Sequence, residues 1–134
     1  MSRLPSADSA GAALGAMRLA VGGTFFAAPI TSLRLMGMDT ATAARVTWLA
    51  RMTAARDAVV GAGTLATVSR GRSGSGWLLA GAFCDAVDAT VLAGALRARK
   101  AGGLGAAAMV GAAAVSAAAG VWAAAATARR PSRG

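Results

Sequence analysis

The sequence contains no histidine and one cysteine, and both shortages exclude whole classes of site. Without histidine the chain cannot build a histidine metal site, bis-histidine haem ligation or histidine acid–base catalysis. The single cysteine, Cys84, excludes a disulfide or a multi-cysteine zinc or iron–sulfur site within one chain. We expect Cys84 to be a small buried apolar residue, and we expect no cofactor and no bound metal.

Charged residues are also scarce, which favours a membrane environment. They make up 14% of the chain and hydrophobic residues 56%, against about 25% and about 45 to 50% in ordinary soluble domains. Much of the apolar content is alanine and glycine, so each apolar segment is only mildly hydrophobic. Small residues let helix backbones approach closely in lipid. The 134 residues predict one domain, residues 1–134.

The net charge of +9 raises the question of nucleic acid, because clustered cations neutralise phosphates. A nucleic-acid module would show a basic face with interleaved aromatic residues. Here the basic residues lie in short runs between apolar segments, and those runs are Arg70 to Arg72, Arg97 to Lys100, and Arg129 to Arg133. Such cations anchor helix ends at anionic headgroups. The expected partner is therefore the lipid bilayer, with no nucleic acid.

Four apolar segments reach the roughly 20 residues that a membrane helix needs, and they cover residues 10–28, 46–68, 77–96 and 104–127. The first segment ends before Pro29, since the residue before a proline disfavours helix. A secretory signal peptide is the competing interpretation of this segment, but Arg18 interrupts it. Residues 30–44 predict a short interfacial helix, with Asp39 as a plausible cap for the helix that follows.

These segments predict an all-α fold, an integral membrane antiparallel four-helix bundle of the cytoplasmic membrane. Four spans place both termini on one side. The basic residues on that side are Arg3, Arg70, Arg72, Arg129, Arg130 and Arg133. Those on the other side are Arg34, Arg45, Arg97, Arg99 and Lys100. Basic loops stay inside, so this excess of one residue favours cytoplasmic termini.

The most unusual feature is charge in the middle of three apolar segments. Arg56 and Asp57 lie about 16 Å from the start of the second segment, and Asp85 and Asp88 lie about 12 to 17 Å into the third. Because consecutive spans run antiparallel, these charges fall at matching depth. Asp85 and Asp88 also share one helix face, being three residues apart. Arg18 occupies the midpoint of the first segment.

The charges are expected to pair. An unpaired charge at the bilayer centre costs about 2.5 to 3.5 kcal/mol. With Arg51 included, three arginines face three aspartates and the cluster is formally neutral. Arginine suits this role because its planar fork binds carboxylate in two places. The charge-pairing candidates are Arg56, Arg18 and Arg51, with Arg56 or Arg18 donating to Asp85 and Asp88. The catalytic candidates are Asp85, Asp88 and Asp57.

The same residues admit several roles, which the sequence leaves open. Buried ion pairs can fix helix register without any activity. Two carboxylates three residues apart repel each other, which would leave one protonated as a general acid or a proton relay. Three carboxylates could also hold a hard cation through oxygen ligands, in competition with the arginines.

Three functions follow from these roles. The favoured one is a small binding or assembly protein of the membrane, whose centre recognises a polar group. The second is an acid–base enzyme, such as an epoxide hydrolase, isomerase or cyclase, acting on a lipid-soluble substrate with Asp85 or Asp88 as the acid and Asp57 and Arg56 in support. The third is a proton-coupled carrier that works as a homodimer. An enzyme or carrier needs a cavity beside the aspartates, whereas a structural network is packed shut.

Small residues at regular spacing predict close helix contacts. Gly61 and Gly63 thin the second segment opposite its neighbours. A second set recurs every four residues in the last segment, and its members are Ala108, Ala112, Ser116 and Gly120. Such stripes suit close backbone approach in lipid, and packing within one chain is favoured over dimerisation.

The middle of the chain resembles a family of small bacterial and fungal membrane proteins, domain-of-unknown-function family 4267. The similarity rests on Arg56-Asp57-x-x-x-Gly61, then Gly76-Trp77-x-Leu79-Ala80-Gly81, and then Asp85-x-x-Asp88. It covers about Arg51 to Ala126 and is also similar to the broader four-helix DoxX-like architecture. The resemblance implies four membrane helices and supplies no settled activity.

Overall fold

The computed structural model describes residues 6–98 and 103–129. These residues form six α-helices and contain no strand, which confirms the all-α class. The helices are α1 Ala7–Ala27, α2 Pro29–Leu35, α3 Thr40–Arg45, α4 Thr47–Ser69, α5 Ser75–Arg97 and α6 Gly103–Ala128. The basic residues predicted at positions 3, 99, 100, 130 and 133 lie outside the described residues.

Each predicted span corresponds to one of the four long helices. Three candidate membrane spans, Asp8–Ala27, Ser75–Arg97 and Leu104–Ala128, are long and apolar enough to cross a membrane. The helix α4 has 23 residues, which is sufficient length at 1.5 Å per residue. It is not among the three, and it is the helix that carries three charges, Arg51, Arg56 and Asp57.

Local sequence signals explain where the short helices begin and end. Pro29 is the first residue of α2, a position where its missing N–H is not needed. The turn after α2 contains Gly37 at φ 93°, a conformation that glycine adopts without strain. Asp39 is the predicted cap, and its carboxylate accepts a hydrogen bond from the Thr42 backbone N–H at 3.0 Å. The hydrogen bonds from Thr42 hold the pKa of Asp39 below its ordinary value.

Glycines bring α1 and α4 into backbone contact. A Cβ atom on Gly22 would lie 2.7 Å from the carbonyl oxygen of Ala54, and one on Gly61 would lie 2.7 Å from that of Gly15. The prediction that Gly61 thins its helix for a neighbour is confirmed. Along α4 these contacts come in the reverse of their order along α1, since Gly15 meets Gly61 and Gly22 meets Ala54.

The second close pair is α5 with α6, and smaller contacts join α1 to α6 and α4 to α5. Gly120 of α6 packs against Leu78 and Ala82 of α5. Of the small-residue stripe predicted in α6, Gly120 is buried, whereas Ala108 and Ala112 are exposed. The intrachain role predicted for the stripe therefore holds at its C-terminal end.

The distribution of side chains is the reverse of that in a water-soluble domain. The buried apolar residues are mostly alanines, such as Ala43, Ala54 and Ala123. Bulky apolar side chains, including Phe83 and Val115, are exposed. In water a large apolar surface of this kind would have to be covered. Surrounded by lipid tails it needs no cover, because the tails are equally apolar.

Candidate functional site

Five of the six candidate residues lie together where α1, α4 and α5 meet. The helix α1 contributes Arg18, α4 contributes Arg56 and Asp57, and α5 contributes Asp85 and Asp88. We call these five residues the Arg–Asp network. The expectation that charges from three segments meet at one depth is confirmed for them.

The inner half of the network is centred on Arg18. Its Nη2 donates to Oδ2 of Asp85, and its Nη1 lies 3.5 Å from Oδ1 of Asp57. Arg18 is 8% exposed and Asp85 9%. One guanidinium therefore links three helices, because its fork can meet two carboxylates at once.

Gly81 makes room for this guanidinium. A Cβ atom at position 81 would lie 2.9 Å from Nε of Arg18 and 3.0 Å from its Cζ, closer than side-chain packing allows. The sequence analysis quoted Gly81 in the family resemblance without assigning it a role. The signal was available, because Gly81 precedes Asp85 by four residues and so lies on the same face of the helix.

The outer half of the network is an arginine fork on Asp88. Nη2 of Arg56 lies 2.7 Å from Oδ2 of Asp88, and Nη1 lies 3.3 Å from Oδ1. Arg56 also donates to Oδ1 of Asp57, from Nη2 at 3.2 Å and from Nε at 3.3 Å. The side chains of Arg56 and Asp88 are 33% and 34% exposed, so this half reaches the protein surface.

The ion pairs follow the order Asp85, Arg18, Asp57, Arg56, Asp88. Each guanidinium lies between two carboxylates, so Asp85 and Asp88 each have an arginine of their own. Two arginines and three aspartates leave a formal charge of −1. Among the described residues, no group of three aspartate or cysteine side chains is arranged to hold a metal ion.

Arg51 was expected in the cluster and lies outside it. Its Nε donates to the backbone carbonyl of Phe26 at 3.4 Å, and the residue is exposed. Phe26 is in the last turn of α1, where carbonyls lack partners within the helix. A cation there also suits the negative end of the helix dipole. The predicted neutral cluster of three arginines and three aspartates is therefore wrong.

The space around the network is filled. No buried side-chain nitrogen or oxygen in the described part of the chain lacks a hydrogen-bond partner. Two depressions lie on the outer surface of α5 and α6, and their walls are almost wholly apolar. The larger is lined by Leu79, Ala82, Phe83, Ala86, Ala117, Ala118, Val121 and Trp122. The candidate aspartates line neither of them.

The fold and the network define an all-helical protein with three helices able to span a membrane and a buried arginine paired with aspartates. No protein family, no curated protein and no solved structure shows significant similarity to this chain.

Proposed function

We propose that the chain is an integral protein of the cytoplasmic membrane that works by binding a partner, as an assembly protein. Its architecture is an antiparallel bundle of four spans, with α4 as the fourth. The charges of α4 are compatible with a span because Arg56 and Asp57 pair with residues of α1 and α5. The resemblance to family 4267 supports the same four-span architecture.

The observation that carries the proposal is the difference between the two halves of the network. The inner half is buried among three helices and holds them in register. The outer half, Arg56 with Asp88, is a third exposed, and in a bilayer such a charged pair is expected to face protein or another polar group. We therefore assign structure to the inner half and recognition to the outer half.

The basic residues do not favour one orientation. Arg51 bonds to the last turn of α1 and so belongs to the side opposite the termini. Adding it there makes six basic residues on each side, five plus Arg51 against the six counted on the terminal side. The cytoplasmic placement of both termini stays a prediction, and reporter fusions at each terminus would determine it.

The proposal is tested by the mass of the particle that contains the protein. The tagged chain is extracted from its membrane in native lipid particles, and their protein mass is measured by native mass spectrometry. We expect wild type in particles heavier than one chain, and Asp88→Asn as a single folded chain, because the exposed acceptor has lost its charge.

The matched control is Asp39→Asn, which removes an exposed carboxylate outside the network and is expected to behave as wild type. Circular dichroism of Asp88→Asn must show the helical content of wild type. Wild-type particles that contain one chain and no other protein would refute the proposed function.

An acid–base or proton-carrying role is the second candidate, and the charge of the network favours it. Three carboxylates around two guanidiniums leave −1, which one proton would neutralise. In that role Asp85, Asp88 or Asp57 would release and take up the proton. Infrared spectroscopy distinguishes the candidates, because a protonated carboxyl group has a carbonyl stretch that a carboxylate lacks.

A further inference from the structure

The exposed half of the network is a polar spot on an apolar surface formed by α4 and α5. Around Arg56 and Asp88 lie exposed apolar side chains of both helices. We call this surface the α4/α5 face, and its residues are Met52, Arg56, Val59, Val87, Asp88 and Val91. The apolar depressions described above lie elsewhere, on the outer surface of α5 and α6.

In a bilayer, only the polar spot favours covering this face with protein. Apolar side chains gain little by exchanging lipid tails for protein, since both are equally apolar. A charged pair gains when it leaves the hydrocarbon for polar contacts. The occupant of the face is therefore selected by its complementarity to Arg56 and Asp88.

This pair is complementary to itself. A twofold axis places the same surface of two chains against each other with opposite direction, so that residue i meets residue j and j meets i. The positive end of one pair then meets the negative end of the other. Arg56 uses four of its five N–H groups in the bonds described. Asp88 keeps lone pairs free, because a carboxylate has about four acceptor sites.

We propose that the α4/α5 face is the interface of a twofold-symmetric homodimer, in which Arg56 of each chain lies against Asp88 of the other. This inference rests on the proposed assembly function and names its partner, a second copy of the chain. The small-residue stripe of α6 plays no part in it.

The first test uses the native cysteine and needs no change to the network. Cys84 precedes Asp88 by one helical turn and is partly buried, so a twofold axis through the face brings the two Cys84 side chains near each other. The purified protein in lipid nanodiscs is treated with a short bis-maleimide. We expect a covalent dimer, seen by denaturing electrophoresis.

The matched control moves the thiol to the far side of the molecule. Cys84→Ala combined with Val115→Cys places it on the exposed surface of α6. We expect no covalent dimer from this variant. Absence of the dimer with Cys84, or an equal yield from position 115, would overturn the proposal.

The second test exchanges the charges. Arg56→Asp combined with Asp88→Arg keeps the net charge of the face and its pair within each chain. We expect wild type to associate with wild type and the exchanged chain with itself. Mixed pairs bring arginine against arginine and aspartate against aspartate, and we expect their association to be about tenfold weaker.

Differently tagged chains, mixed in nanodiscs and followed by energy transfer, report all three pairings. Equal association in all three would contradict the proposed contact. If the purified chain stays single while particles extracted from the membrane contain another protein, the homodimer is wrong and the assembly function stands. If the extracted particles also hold one chain alone, both proposals fail.

Discussion

At the scale of single residues, the network depends on the shape of arginine as much as on its charge. Arg18 reaches Asp57 and Asp85 on two different helices, and Arg56 reaches Asp57 and Asp88. A lysine would supply a point charge but not the planar fork. The fork of Arg18 also needs space, and Gly81 supplies it.

The space at Gly81 leads to a prediction for Gly81→Ala. The new Cβ would lie 2.9 Å from Nε of Arg18, so the guanidinium must move and its bonds to Asp85 and Asp57 are distorted. We expect the free energy of unfolding to fall by about 1 to 3 kcal/mol, as for other overpacked sites. Denaturant unfolding in detergent micelles measures the change.

Gly94→Ala is the control on the same helix. A Cβ atom there would meet nothing within 4 Å, so we expect an unchanged or slightly higher stability, by about 0.5 to 1 kcal/mol. Equal stability of the two variants would show that Arg18 does not depend on the space at Gly81.

At the scale of elements, the two close helix pairs are held by small residues. Gly15 and Gly22 lie seven residues apart on α1 and face α4, where Gly61 and Ala54 receive them. Such contacts give a tight interface because the backbones themselves touch. The depth of Arg18 relative to Asp57 is set by this interface, since Arg18 lies between the two glycines of α1.

Neighbouring glycines on α1 allow this interface to be tested. In Gly22→Ala the Cβ would lie 2.7 Å from the Ala54 carbonyl and 2.9 Å from the Ala58 nitrogen. Both are backbone atoms, so α1 and α4 must separate. We expect a loss at the upper end of the about 1 to 3 kcal/mol typical of overpacking, measured by thermal unfolding.

Gly23→Ala changes the next residue, where a Cβ would meet nothing within 4 Å. It is expected to unfold at the temperature of wild type or slightly above. A similar loss in both variants would mean that the position of α1 on α4 is not set by the glycine contact.

At the scale of the whole molecule, the exposed surface of α6 is the strongest sign of a membrane environment. The span Leu104–Ala128 is the most apolar of the three, and 6% of its most apolar window is buried. A charge-free helix exposed to this degree is typical of a helix that faces lipid, because a soluble protein would leave it as a large apolar patch.

Two substitutions on α6 separate a lipid environment from an aqueous one. Val115 is 70% exposed and Leu104 is 91% exposed. Leu104 is at the helix end, and Val115 is about 16 Å further along. We expect Val115→Arg to cost about 2.5 to 3.5 kcal/mol of membrane insertion. Leu104→Arg should cost little, because its side chain reaches the headgroups.

Insertion of both variants is measured by glycosylation mapping in microsomes. On a water-soluble protein both would be surface substitutions, with effects within about 0.5 kcal/mol. Equal insertion of the two variants would therefore contradict a spanning α6.

Much of the site followed from the sequence because few arrangements satisfy intramembrane charge. Once Arg18, Arg56 and the three aspartates were placed at one depth, pairing was the low-energy arrangement. Arg51 was misplaced because helix depth alone does not determine which residues pair. Its position near the start of α4 puts it beside the last turn of α1, and a free carbonyl there competes with the distant carboxylates.

By itself the sequence determined the helical class, the bounds of the four long helices and the charges available at their midpoints, because these depend on local hydropathy and spacing. The tertiary structure decided which charges meet, that the network carries −1, and that one half is buried while the other is exposed. These properties depend on the rotation of each helix about its axis. That rotation is set by contacts such as Gly22 on Ala54 and Arg18 against Gly81, which join residues distant in the chain.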